Sequence, residues 1–191
     1  MTLVTLPARP WPLMGHGLHL AQATELGQRI ITRAAYDAHV REEPLGSNRS
    51  PYLDQLCDRF GIPRGSYWCG VIFGAWWIDC ECRVPRDFAD CDRWLPYLVP
   101  ASAVPRKERT GAAILYGTRG TGPIDPDYTV MKASGWNAVH IGAVADWTTD
   151  PPITAEGNRG YAGSKSNNGV AVDFAPSYRN DVLGLVLPQA A

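Results

Sequence analysis

From Ala21 to about Arg41, apolar residues recur at every third or fourth position, with Leu26, Ile30, Ile31, Ala34, Ala35 and Ala38 on one face. That spacing predicts an amphipathic helix, and Thr24 is placed to cap its start. Pro44 to Pro51 reads as a long turn, after which Tyr52, Leu53, Leu56 and Phe60 repeat the helical spacing until Gly61 ends it. A third helix is expected from about Tyr67, through the apolar run Val71-Ile72-Phe73-Gly74-Ala75-Trp76-Trp77. Past Asp79 the pattern is irregular through Asp92, with a short helix near Trp94 to Val99 that Pro100 closes. From Thr110 onward the residues favour strands. Five short β-rich runs, 112–116, 138–144, 153–156, 170–174 and 182–187, are separated by Gly, Asn or Pro. Helices first and an antiparallel sheet after them is the α+β order. Residues 1–20, rich in Pro, Leu and His and without a period, read as an N-terminal arm, leaving 21–191 as a single domain.

Composition narrows the function more than the fold. A chain of 191 residues buries roughly 70% of the surface its unfolded form exposes and needs no disulfide staples. Its 18 basic and 19 acidic residues leave a net charge of -1, with no basic run of five. Nucleic acid and anionic membrane are therefore not expected partners. Seven Trp, eight Tyr, 19 Gly and 16 Pro fit many turns and aromatic-lined grooves. The first residues lack a charged and then apolar leader, and no run approaches the roughly 18 apolar residues of a membrane span. Synthesis in the cytoplasm without a signal peptide is the expectation. Five cysteines, an odd number, then favour reduced thiols over a disulfide framework.

Cys69 is the most informative of the five. It falls where a turn gives way to the third helix, and Ser66 is placed to cap that helix, which would set Cys69 at the positive end of the helix dipole. A helix N-terminus and a nearby cation both favour thiolate over thiol, and His140 is the natural cation. His140 and Glu156 lie on neighbouring predicted strands, so the carboxylate can fix the imidazole tautomer while the other ring nitrogen faces the thiol. Asp146 competes with Glu156 for that role. The plainer readings make Cys69 a small buried hydrophobe and His140 a satisfied core histidine.

Several linked segments resemble the bacterial and phage CHAP amidases and endopeptidases, among the NlpC/P60-like, papain-like cysteine hydrolases. They are Glu43-Pro44-Leu45-Gly46-Ser47-Asn48-Arg49-Ser50, Tyr67-Trp68-Cys69-Gly70-Val71-Ile72-Phe73, Val139-His140-Ile141-Gly142-Ala143-Val144 and Thr154-Ala155-Glu156-Gly157-Asn158. Their order and spacing make the set more specific than any single piece. The resemblance implies a papain-like α+β fold, Cys69 as nucleophile, His140 as base, Glu156 as the group that orients it, and Asn158 as a further polar contributor. It also implies peptidoglycan as substrate, cut at the muramoyl-L-alanine amide or within the stem or cross-bridge peptide. The enzyme would then act on the wall after phage- or secretion-dependent release, a separate chain could supply wall targeting, and no cofactor is called for. Gly70 departs from the alanine more familiar after the nucleophile.

The remaining features have ordinary alternatives. Tyr67 is a guess for the second oxyanion donor, and Trp68 and Trp136 are candidates to line a substrate groove, with packing the competing reading. Asn158 could hold a turn. Cys80, Cys82 and Cys91 lack the paired spacing of a zinc site, and Asp87, Asp90 and Asp92 lack the glycine-bearing loop of a calcium site, so no metal is expected. The glycines from Gly117 to Gly122 precede no Lys-Ser/Thr and no helix, which excludes a phosphate loop and leaves a mobile loop beside the site. The rival to an enzyme is a catalytically silent wall-binding or phage structural module of the same fold.

Overall fold

The computed structural model describes residues 18, 20–38, 40–159, 171–177 and 181–191. The arm expected over 1–20 lies outside the described residues except for Leu18 and Leu20, which are half-buried against the core. Helix α1 spans Glu25–Tyr36 and α2 spans Pro51–Phe60. Thr24 caps α1 by accepting from the Gly27 amide, as its sequence position predicts. Ser50 caps α2, and Gly61 ends it in the left-handed conformation (φ 67°) that glycine adopts without cost.

Helix α3, Cys69–Asp79, has no polar face because it needs none: residues 69–77 are all buried. Phe73, Trp76, Trp77 and Trp94 pack together at centroid separations of 5.1–6.2 Å, edge-on except for the tilted Phe73–Trp77 pair. Fully buried side chains of this size contribute about 2–3 kcal/mol each. Beyond it come a 3-10 segment, Cys91–Tyr97, with Pro96 inside it, and the short helix α4, Arg106–Arg109.

The sheet is antiparallel with five strands, β1 (Ala113–Thr118), β2 (Asn137–Asp146), β3 (Ile153–Arg159), β4 (Ala171–Pro176) and β5 (Val182–Val186), in the order β4-β3-β2-β1-β5. Every strand expected from the sequence is present, and the α+β class holds. A short helix, α5 (Tyr128–Ala133), was not visible in the pattern; Asp127 starts it by accepting from the Thr129 and Val130 amides. The glycine-rich connection before α5 is fastened down. Arg119 donates to the carbonyls of Val182 and Leu183, and the Trp136 indole donates to that of Gly122. Among the described residues no helix is long and apolar enough to cross a membrane. Helix α3 lies against β2 and β3, the two strands that carry His140 and Glu156.

Candidate active site

Cys69 is the first residue of α3, but the cap expected from Ser66 is not made. The Ser66 hydroxyl turns back to donate to the Pro63 carbonyl (2.7 Å), and Trp68 occupies the cap position with no side-chain bond. Turned toward that carbonyl, the Ser66 oxygen makes no bond to the α3 amides. The first amides of α3 are left without a side-chain acceptor, and the Gly70 N–H reaches the Cys69 sulfur instead.

His140 reaches the site through an irregularity in β2. Tyr116 pairs with His140 but Gly117 pairs with Ala138, so Val139 is an extra residue on β2, a bulge of the kind that re-aims the side chain beside it. His140 Nε2 lies 3.0 Å from Glu156 Oε2, which leaves Nδ1 as the ring nitrogen for the Cys69 thiol. Glu156 is wholly buried. Its other oxygen accepts from the Tyr116 hydroxyl (2.9 Å) and the Thr154 hydroxyl (2.5 Å), and Tyr116 is itself bonded to Ser177 Oγ (3.0 Å). Room for this carboxylate comes from Gly142, directly opposite on β2: a Cβ there would lie 2.5 Å from Glu156 Cγ.

A third element completes the cluster. Cys91 Sγ lies 3.7 Å from Cys69 Sγ, and both residues are buried. The chain can come this close because Gly70 and Gly74, one turn apart on α3, form a smooth track. The Ala89 carbonyl rests on Gly70 and the Phe88 ring on Gly74, where a Cβ would meet them at 2.3 and 2.0 Å. The departure at Gly70 therefore has a steric cause. Asp92 then ties this segment to β2 and α5, accepting from the Ala138 amide (2.6 Å) and Lys132 Nζ (2.5 Å).

Electrostatics separates the two sulfurs. A hydrogen bond from Cys91, followed by His140 and the Gly70 amide, outweighs burial and holds the Cys69 thiol well below its ordinary range. Cys91 is driven the other way by its bond to Cys69, by burial, and by Asp90 and Asp92. Burial alone would lower the His140 imidazole, but Cys69 and Glu156 together push it up to about 9. The shifts run in the directions that favour a thiolate on Cys69 and a proton on His140, with Glu156 hydrogen-bonded behind the ring.

The other expected residues fall elsewhere. Asp146 accepts from the Thr148 amide at the end of β2, while His140 is bonded to Glu156. Asn158 shows no bond to the three central residues. It adopts a left-handed φ of 57° at a bulge in β3, a conformation asparagine tolerates, and its amide donates weakly to Asn48 Oδ1 (3.4 Å). Tyr67 is 65% exposed beside the nucleophile. Trp68 and Trp136 are buried, so neither presents its ring as a groove wall. The Trp68 indole donates to Glu42 Oε1 (2.7 Å), and Trp136 holds the 119–122 connection. Cys91 lies against Cys69 and not with Cys80 and Cys82. Among the described residues no group of three or more His, Cys, Asp or Glu side chains is placed to hold a metal ion.

Sequence reasoning missed Cys91, Tyr116, Thr154, Glu42 and the steric role of Gly142. Tyr116 and Thr154 were within reach, since each lies on a predicted strand next to His140 or Glu156. Cys91 was not, because its position depends on a loop crossing two helical glycines. No protein-family model matches this chain, and no curated protein or solved structure matches it either.

Proposed function

We propose that this chain is a cysteine hydrolase of amide bonds with a papain-like arrangement of the CHAP type, acting on peptidoglycan. The observation that carries the reading is the placement of Cys69, His140 and Glu156 at the junction of α3, β2 and β3, with the thiol lowered and the imidazole raised. Buried groups arranged so that their pKa values move in complementary directions are a mark of functional sites.

In this reading the Cys69 thiolate adds to the amide carbonyl. The oxyanion that forms is met by backbone amides at the α3 start, the Cys69 N–H foremost, and losing one such donor costs about 3 kcal/mol. Imidazolium His140 protonates the leaving amine, and the C–N bond breaks to leave a thioester. Neutral His140 then takes a proton from water as the water attacks that thioester, which frees the acid and restores the thiolate. Glu156 holds the ring in one tautomer throughout, and Tyr116 and Thr154 hold Glu156. Tyr67, two residues before the nucleophile in the chain and exposed, is available to meet substrate.

Digestion of purified peptidoglycan by the wild type and by Cys69→Ala, with fragments identified by mass spectrometry, tests this directly. Release by the wild type alone sustains the reading, and the new termini name the bond. Release by neither, across walls of different cross-bridge chemistry, replaces it with a non-catalytic wall-binding module.

A further inference from the structure

Of the five cysteines, two are in contact with each other, and one of those two is the proposed nucleophile. Amide hydrolysis needs no second thiol to form or break a bond, so beyond its hydrogen bond to the Cys69 sulfur Cys91 takes no step in the mechanism above. Its position is nevertheless determined from three sides. Gly70 and Gly74 admit the 88–91 segment onto α3, Asp92 anchors the next residue to β2 and to Lys132, and Cys91 begins the 3-10 segment packed on β2.

We propose that Cys69 and Cys91 form a dithiol site for hydroperoxides, in which Cys69 is oxidised and Cys91 resolves it to an intramolecular disulfide. The Cys69 thiolate attacks the terminal oxygen of ROOH. An S–O bond forms, the O–O bond breaks, and the alkoxide or hydroxide leaves as ROH or water with the proton of imidazolium His140. Cys91 Sγ then attacks the sulfenic sulfur, the S–O bond breaks, and hydroxide departs as water with the Cys91 proton. Two thiols and one hydroperoxide thus give one disulfide, one ROH and one water. From a separation of 3.7 Å to a bond of about 2 Å, each sulfur advances by about 0.8 Å.

The chemistry selects these two sulfurs over the rest. Oxidation follows thiolate character, and resolution requires a second sulfur within reach. Cys57, Cys80 and Cys82 fail the first condition, because burial raises all three thiols, and the Cys82 thiol is turned to the Cys80 carbonyl (3.8 Å). The proposal goes beyond hydrolysis, since the disulfide forms whether or not the chain cuts peptidoglycan. Its consequence, that hydroperoxide switches off the nucleophile reversibly and shields it from sulfinic acid, does rest on that reading.

Hydrogen peroxide is added in slight excess to the folded protein, and products are read by intact mass and peptide mapping. The wild type is expected to lose two hydrogens and yield one Cys69–Cys91 linked peptide, with full return of free thiols on dithiothreitol. Cys91→Ser and Cys91→Ala, both checked for a retained fold by circular dichroism, are expected to accumulate a dimedone-reactive sulfenic acid at Cys69. They should then pass to sulfinic acid, which dithiothreitol does not reverse. Cys69→Ser should leave Cys91 reduced. Direct passage of wild-type Cys69 to sulfinic acid with no linked peptide overturns the proposal. So does equal accumulation of sulfenic acid in the wild type and the Cys91 variants. A wild type that forms the disulfide yet releases no wall fragments before oxidation removes the hydrolase reading and leaves the dithiol site standing.

Discussion

The two ends of α3 carry cysteines almost equally hidden from solvent and in opposite chemical states. Cys69 opens the helix and Cys80 follows its last residue; each is about 5% exposed. At the C-terminal end burial decides, and the Cys80 thiol rises; Cys82, two residues on, is pushed up to about 11. At the N-terminal end, where Cys69 lies deeper still, desolvation is overridden by a thiol, an imidazole and a helix amide converging on one sulfur. Burial alone therefore makes an inert cysteine, and what makes a nucleophile is the set of donors that burial brings to it. Nearby arginines do not change this for Cys80. Arg29 and Arg33 pull its thiol down, yet burial still prevails, because charge without a directed hydrogen bond is the weaker influence here.

The comparison breaks most completely if the donors are removed. Cys69→Ala is expected to abolish hydrolysis, and His140→Ala to reduce kcat/KM by roughly 10²–10⁴-fold, the usual worth of a positioned acid–base group. Both are checked by fragment release from peptidoglycan. A His140→Ala enzyme with unchanged kcat/KM would show that the imidazole is only a packed core residue.

The same contrast is measurable without any substrate. Because the Cys69 thiol is held well below its ordinary range while those of Cys80 and Cys82 are raised, iodoacetamide at pH 7 should alkylate Cys69 at least about tenfold faster than Cys80 or Cys82. Site-resolved labelling by mass spectrometry reads the ratio. Cys91→Ala and His140→Gln should each narrow it, since both groups hold the Cys69 thiol down. Equal labelling at both ends of α3 would show that the donors at the N-terminus do not set the state of the sulfur.

How far this contrast could be read in advance depends on the distance over which each contact acts. The strands, the order of helices and sheet, the Thr24 cap and the glycine stop at Gly61 follow from local spacing, and all are present. The pairing of His140 with Glu156 was legible because two adjacent strands of an antiparallel sheet bring it about. Cys91 was hidden because it arrives through a loop whose path is set by the missing Cβ atoms of Gly70 and Gly74, well back along the chain on α3. The Ser66 cap failed for a local reason: the hydroxyl is turned to donate to the Pro63 carbonyl three residues back, so its oxygen does not face the α3 amides as an acceptor. Trp68 looked like a groove residue because tryptophan often is one, but Glu42 gives its indole N–H a buried partner and holds the ring inside.

A smaller effect concerns the brace behind the imidazole. Catalytic competence in the proposed mechanism needs Cys69 deprotonated and His140 protonated. Activity should thus rise on the acid side as Cys69 loses its proton and fall on the alkaline side near pH 9, as His140 loses its own. Glu156 is one of the groups that hold the His140 value up, so Glu156→Gln should move the alkaline limb of kcat/KM to lower pH by about one unit, worth about 1.4 kcal/mol. The acid limb, governed by Cys69 and its own donors, should move less. A pH profile whose two limbs shift together would assign Glu156 to overall stability and not to the ring.

The smallest effect is the most discriminating about how the N-terminal end of α3 is built. In an exposed helix, replacing glycine by alanine stabilises by roughly 0.5–1 kcal/mol, because glycine loses more backbone freedom on folding. At Gly70 the same change places a methyl 2.3 Å from the Ala89 carbonyl oxygen, a backbone atom that cannot swing aside. Overpacking of this kind costs about 1–3 kcal/mol, so the steric term should win, and Gly70→Ala should lower Tm by about 2–4 °C per kcal/mol of net loss. Relief requires the 88–91 segment to lift from the helix, which carries Cys91 away from Cys69. Thermal denaturation should therefore fall together with the yield of the Cys69–Cys91 disulfide, while Gly122→Ala, whose Cβ finds only ordinary contacts at 3.6 and 3.7 Å with Ser134, changes neither. A Gly70→Ala protein that melts higher than the wild type would mean that helix propensity governs this position and that the loop does not rest on α3, which would remove the steric explanation for the second thiol along with it.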